Sequence, residues 1–183
     1  MSDSLSVQEP LLLPIDSASL KASEQFLRFR LFPNTIALFP VPQLTEVLTI
    51  RSSQIVPIFH MPAWVMGVYN WRGEILWMVD LGHLVGLTPW HQQTSRASVF
   101  TAIVLQARSG RATPTNVKSQ MIGLVVNRVE DIEWCNTDLI QSPPSSTVTP
   151  SLVPFLRGYW LKSDDEILPV IDGKAILAAM PKP

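Results

Sequence analysis

Residues 67–81 read Gly-Val-Tyr-Asn-Trp-Arg-Gly-Glu-Ile-Leu-Trp-Met-Val-Asp-Leu, and they restrict the possible folds of this chain more than any other stretch. Asn70, Trp71, Arg72 and Gly73 form a reversal, because Asn and Gly tolerate the positive φ of a tight turn. The apolar run Ile75, Leu76, Trp77, Met78, Val79 follows, bounded by Glu74 and Asp80. Five apolar residues between turn signals predict a strand buried on both faces. Residues 81–87 then supply one or two helical turns, stopped by Gly86 and Pro89. Arg72 falls at the turn tip, where its planar fork could bond a carboxylate or backbone carbonyls. On spacing alone a solvated turn arginine is the commoner arrangement, since most surface charges contribute little.

An echo of this stretch stands near the end of the chain. Glu-Ile-Leu-Pro-Val-Ile-Asp at 166–172 repeats Glu-Ile-Leu-Trp-Met-Val-Asp at 74–80, 92 residues later. Phe155 to Tyr159 echoes Trp64 to Val68 at a distance of 91, with Gly158 in step with Gly67. Ile176 and Leu177 match Leu84 and Val85. The chain reads as two related halves, giving two similar β-units side by side. Barrel closure suits so many short strands, because it removes exposed edges.

Around these anchors the pattern predicts strands at 25–31, 35–39, 44–50, 99–105, 121–126 and 129–134, with turns at Pro33-Asn34 and Asn127-Arg128. Residues 106–119, with Arg108, Arg111 and Lys118, read as a surface hairpin loop, and 142–150 as a Pro- and Ser-rich connector. Residues 1–24 read as a flexible tail, in which Leu-Leu-Leu-Pro-Ile at 11–15 either stays unattached or docks on the domain or a partner.

Composition narrows the function classes. Apolar residues make up 46% of the chain, which points to extensive strand content or a large contact surface. Fourteen Lys and Arg against fifteen Asp and Glu leave a formal charge of −1, so there is no basic field for nucleic acid and no polybasic membrane anchor. Cys135 is the only cysteine, which excludes an intrachain disulfide and a thiolate zinc cage and suggests a small buried hydrophobe. No stretch approaches the ~20 apolar residues of a membrane span, and a soluble cytoplasmic protein is expected. No phosphate-binding Gly-rich loop, nucleophile elbow or His-Glu-x-x-His motif is present, and His60, His83 and His91 keep no ligand spacing. Glu130, Asp131 and Glu133 read as a solvated strand edge, with Glu130 on the opposite face from the other two. Trp77 belongs to the core. Trp71 either joins Arg72 in an exposed contact surface or folds back over the end of the β-unit.

The run Pro62-x-Trp64-Val65-x-Gly67-Val68-x-Asn70-Trp71-Arg72-Gly73-x-Ile75, continued by Val79-Asp80-Leu81, resembles the central signature of CheW-like domains. That pattern is roughly Gly-Val-x-Asn-Leu-Arg-Gly-x-(Val/Ile)-x-Pro-Val-x-Asp-Leu, and the chain departs from it at Trp71 and Trp77. The Trp-rich version resembles the CheW-like proteins of pilus-driven motility and phototaxis. The resemblance covers about residues 25–180 and implies a mainly β fold of two five-stranded, SH3-like β-barrels packed together with short helices. It also implies a non-enzymatic adaptor without cofactor or metal, joining a chemoreceptor's cytoplasmic tip to the regulatory domain of a CheA-type histidine kinase. Arg72 would be the polar anchor, Asn70 and Gly73 would shape its turn, and Trp71, Leu44, Glu46 and Val47 would line the adjoining surface. A small-molecule sensor using the cleft between the barrels is the alternative, and a nucleic-acid-binding barrel is disfavoured by the charge.

Overall fold

The computed structural model describes residues 23–93, 98–106, 121–142, 149–163 and 166–181. The expected loop at 107–119 with its cationic cluster, the middle of the connector at 143–148 and the tail at 1–22 lie outside them. The chain runs β1 (Ser23–Leu31), β2 (Thr35–Pro40), β3 (Leu44–Arg51), β4 (Val65–Trp71), β5 (Glu74–Asp80), helix α1 (Leu81–Leu84), β6 (Val99–Gln106), β7 (Met121–Val126), β8 (Arg128–Asn136), β9 (Ile140–Gln141), β10 (Leu156–Ser163), β11 (Glu166–Ile171) and helix α2 (Gly173–Ala179). The first strand starts at Ser23, so the last two residues assigned to the tail already belong to the sheet.

Two sheets form. One has the order β8-β1-β2-β11-β10-β9 and the other β3-β6-β7-β5-β4. The two orders are the same pattern. Each begins with a long strand carrying a register shift against its neighbour, at Leu44/Glu46 opposite β6 and at Arg28/Phe29 opposite β8. Each has one parallel pair, Met78 opposite Gly123 and Val170 opposite Leu38. Each hairpin has a shift before its glycine, at Val65/Gly67 and Leu156/Gly158. The Asp after each hairpin donates its backbone N–H to the same upstream position, Asp80 to Trp64 O at 2.9 Å and Asp172 to Phe155 O at 2.8 Å. Each Asp then caps the short helix that follows, accepting from His83 N and Lys174 N respectively.

The repeat is therefore real, but its halves are not side by side. The second sheet joins β3, β4 and β5 of the first half to β6 and β7 of the second. The other sheet joins β1 and β2 of the first half to β8–β11 of the second. The halves interlock, and neither sheet is built from one half alone.

This arrangement explains the unbroken apolar runs. In the second sheet Leu76, Met78, Phe100, Ala102, Val104, Met121 and Val125 point into an interior cluster of that sheet. The alternate residues Val79, Ile103, Leu105, Ile122 and Leu124 point into a central cluster shared with Leu27, Phe29, Ala37, Phe39 and Ile171 of the first sheet. Phe26, Leu38, Cys135, Trp160, Leu168 and Val170 fill the interior of the first sheet. Successive side chains of one strand thus enter two different cores, as the twofold period of a strand requires. The run at 75–79 obeys this from Leu76 onward, but Ile75 is 68% exposed, because the hairpin end projects past the central core.

Both sheets curl. In a flat sheet β8 and β10 would stand four strand spacings, roughly 19 Å, apart. Yet Lys162 Nζ on β10 lies 2.8 Å from Glu133 Oε2 on β8, a separation that no Lys–Glu pair spans from opposite sides of a flat sheet. Glu133 and Glu130 also bind Arg28, at 2.9 and 3.0 Å, and Arg28 reaches Glu166 at 2.9 Å. Glu130 further holds Arg30 at 2.8 Å and Arg128 at 2.9 Å. The sequence expectation of a solvated acidic edge is overturned for these two glutamates. The register shift in β8 breaks the alternation and brings Glu130 to the same guanidinium as Glu133. Bonds from Arg128, Arg30 and Arg28 pull the Glu130 carboxyl down from its usual 4.5 to about 2.

Two outcomes follow. Met78→Asp, which puts a carboxylate where Met78 is fully buried, is expected to remove stability comparable to the whole folding free energy of about 5–15 kcal/mol. The variant should show no cooperative unfolding transition by circular dichroism. Because the Glu130 pKa is lowered on folding, its contribution is complete above about pH 4.5 and is lost as the pH falls toward about 2. Glu130→Gln should be less stable than the parent at pH 6 in denaturant titrations, and the difference should shrink between pH 4.5 and 2.

Candidate functional site

The β4–β5 hairpin closes through two residues, Arg72 at φ 54° and Gly73 at φ 85°, with Trp71 paired to Glu74. Positive φ at both central positions makes a type I′ turn, whose twist matches that of the flanking strands. Asn70 Oδ1 accepts from Gly73 N at 3.0 Å and closes the turn from inside. Gly73 has nothing within 4 Å of where a Cβ would stand, so it is required by conformation alone. Gly67 is different. It sits at φ 140°, and an added Cβ would lie 2.2 Å from the carbonyl oxygen of Val56, which pairs across the edge of β4.

Arg72 is the only non-glycine residue besides His60 with positive φ among the described residues. Its Nη2 donates to Glu46 Oε2 at 2.8 Å, and its guanidinium lies over the Trp71 ring, 4.7 Å from the centroid. Glu46 stands on β3 just past the register shift at Leu44/Glu46, and such a bulge re-aims the side chain. The pair joins the first strand of the sheet to the hairpin at its other end, as Lys162–Glu133 does in the other sheet. The Arg72 side chain is 69% exposed and that of Glu46 33%, so the pair contributes only ~0.2–1 kcal/mol.

Structure therefore brings together Arg72, Trp71, Asn70, Gly73 and Glu46. Trp71 takes a middle course between the two arrangements open to it: it is half-buried against the interior cluster of its own sheet while its outer face carries Arg72. Val47 is exposed beside Glu46 on β3, and Leu44 is half-buried against the central core. Sequence reasoning missed Ile75, which faces solvent one residue beyond the turn-closing pair. Its position next to a turn was the available signal, since the end of a hairpin seldom has a layer on both sides.

Leu44 also lines an open cleft of about 360 Å³ between β3 and β6 on one side and α2 on the other, with Gln43, Leu105, Lys174 and Leu177. Gln43 Oε1 is already engaged there by Gly173 N at 3.1 Å.

Among the described residues the remaining reactive groups do not converge. Cys135 is fully buried, and desolvation pushes its thiol up to about 12, so no thiolate forms at neutral pH. The buried carboxylate of Asp80 is spent on backbone donors, His83 N at 3.1 Å and Trp90 N at 2.8 Å. His83 and His91 meet edge to face with centroids 6.2 Å apart, while His60 lies in an exposed loop. Among the described residues no group of three or more His, Cys, Asp or Glu could hold a metal ion, and no helix is long and apolar enough to cross a membrane.

Fold and site together define a double-sheet β module whose most distinctive feature is a rigid, charged surface turn. A family model for the CheW-like domain matches residues 25–180, and the chain belongs to that family. It is 31% identical over 85 residues to a probable chemotaxis protein CheW of Rhizobium etli, and 32% identical over 88 residues to the chemotaxis protein CheW of Rhizobium meliloti. These matches cover 46% and 48% of this chain and the same shares of the two relatives, so they span about half the length of each. The fold is similar to the crystal structure of the scaffolding protein TtCheW from Thermoanaerobacter tengcongensis, with a TM-score of 0.62 and 22% identity over 81% of this chain and 88% of that one.

The two glycines separate conformation from space. Gly73→Ala should cost about 1 kcal/mol, the price of a left-handed alanine. Gly67→Ala should cost about 3 kcal/mol or more, because backbone has to move. Denaturant midpoints of the two variants measure the contrast.

Proposed function

We propose that this protein is a cytoplasmic, non-enzymatic adaptor that couples a chemoreceptor's cytoplasmic tip to the regulatory domain of a CheA-type histidine kinase, in chemotaxis, phototaxis or twitching motility. The observation that carries the reading is the Arg72 turn. A guanidinium is held on a rigid I′ turn by Glu46 and Trp71, with Val47 and Ile75 exposed beside it. An arginine with an aromatic partner and apolar neighbours is the composition of an interface hot spot.

The internal repeat adds support. Val47 corresponds to Ile132 and Ile75 to Ile167 in the other sheet, and those two are 49% and 50% exposed. Glu46 corresponds to the exposed Asp131, and the chain between Ser163 and Glu166 is Asp164-Asp165 where the first hairpin has Arg72-Gly73. The molecule thus offers two related apolar ends, only the first of which is centred on an arginine among the described residues. Ends of that kind suit heterologous, head-to-tail docking with a protein of the same architecture.

Arg72→Ala is expected to leave the circular dichroism spectrum and midpoint nearly unchanged and to weaken kinase-domain binding by ~2 kcal/mol, roughly 30-fold. Affinity capture from the native host with parent and variant in parallel tests it. A kinase and a receptor recovered by the parent and lost in the variant support the reading. Equal recovery by both proteins moves the contact away from Arg72. The cleft beside Leu44 carries the second reading, a small-molecule sensor, which would be favoured by stoichiometric binding of a metabolite with no kinase or receptor captured.

A further inference from the structure

The cleft of about 360 Å³ where the start of β3, the end of β6 and α2 meet has a lining with a definite chemistry. Its volume falls within the roughly 300–1,000 Å³ of small-ligand pockets. Leu44, Leu105 and Leu177 supply the apolar wall, and Lys174 is the only charged side chain among the described residues that line it. Lys174 is exposed and makes no ion pair among the described residues.

The fold does not demand this combination. The helix after each hairpin is the same repeated element, capped by Asp80 in one half and by Asp172 in the other. In step with Lys174 and Leu177 the first half has Gly82 and Val85, both buried. A cation and a partly open leucine thus stand in the helix that borders the cleft, and not in its counterpart. Gln43 adds a donor. Its Oε1 accepts from Gly173 N at 3.1 Å, which fixes the amide and leaves both N–H bonds of Nε2 for another acceptor. An ammonium and an amide donor beside a leucine wall match an anion that carries a hydrocarbon body. A cationic ligand would be repelled by Lys174, and a wholly polar anion would leave the leucines in water.

We infer that this cleft binds a small amphipathic carboxylate of the medium-chain fatty acid kind. The aliphatic body lies against Leu44, Leu105 and Leu177, and the carboxylate accepts from Lys174 and the Gln43 amide. This ligand class rests on the small-molecule reading of the cleft and not on the adaptor reading, since no residue of the Arg72 turn lines it.

The test is isothermal titration calorimetry of the full chain with octanoate, beside octanamide, which lacks the charge, and acetate, which lacks the body. Saturable one-to-one binding of octanoate is expected, with octanamide about 10-fold weaker and acetate silent. Lys174→Met should weaken octanoate about 10-fold while Lys174→Arg stays close to the parent, both with the parent's circular dichroism spectrum. NMR shift changes on octanoate addition should centre on the amides of Gly173 and Leu177. Octanamide bound as tightly as octanoate leaves a ligand cleft but overturns the carboxylate class. Binding that Lys174→Met does not change, or shifts that lie elsewhere, overturn the assignment to this cleft. Failure of millimolar octanoate and octanamide alike to saturate overturns the ligand class and the small-molecule reading together.

Discussion

The structure depends on strands that bury both faces. A five-residue strand with apolar side chains on either side cannot be satisfied by a single sheet with one wet face. Here Leu76 and Met78 enter the interior of their own sheet, while Val79 enters the core between the sheets. The same division runs through β6, β7, β1 and β2. Each sheet has to curl around an interior of its own, and the two sheets have to share a third core. Interlocked connections meet this demand, because the chain crosses from one sheet to the other after β2 and again after β7. At the last crossing Asn127 N donates to Arg30 O at 3.0 Å.

Curling leaves the ends of each sheet to be joined, and both are joined by charge. Lys162–Glu133 and the Arg28 cluster do so in one sheet, and Arg72–Glu46 in the other. Burial decides what each can do. Glu130 and Glu133 of the first set have side chains 16% exposed and share their cations among several strands, so they are part of the architecture. The Arg72 side chain is 69% exposed and bonded from one side. The closure between equivalent strands is thus a structural clasp in one sheet and a surface feature in the other.

Much of this was legible in the sequence. Local signals located most of the strands, the reversal at Arg72-Gly73, the Asp residues that end the apolar runs and the repeat, because period, turn chemistry and apolar runs are local. The interlocking was not legible, since a repeat shows which segments are related and not which ones pair. Ile75 looked buried because a run of apolar letters does not show where the supporting layer ends. Glu130 looked solvated because a single bulged residue reverses the alternation on which that reading depended. Glu46 was found through the family pattern; nothing in the spacing of residues 46 and 72 indicates that they touch.

Arg72 raises the question of why an arginine occupies a left-handed position that asparagine fills more readily. A non-glycine residue there costs roughly 1–2 kcal/mol. The exposed pair with Glu46 returns ~0.2–1 kcal/mol, and the stacked guanidinium on Trp71 a further ~0.5–1 kcal/mol. These terms nearly cancel, so the arginine is neither a large stabiliser nor a large burden, and stability alone does not account for it. What the arrangement does provide is a guanidinium fixed before any partner arrives. Backbone, carboxylate and indole each remove part of the freedom that an arginine on an ordinary loop would lose on binding. That loss is about 0.5–1.5 kcal/mol for a flexible side chain, comparable to the turn's own strain. Strain at the tip of the hairpin is thus exchanged for order at the surface, which is the exchange expected where a protein presents a contact.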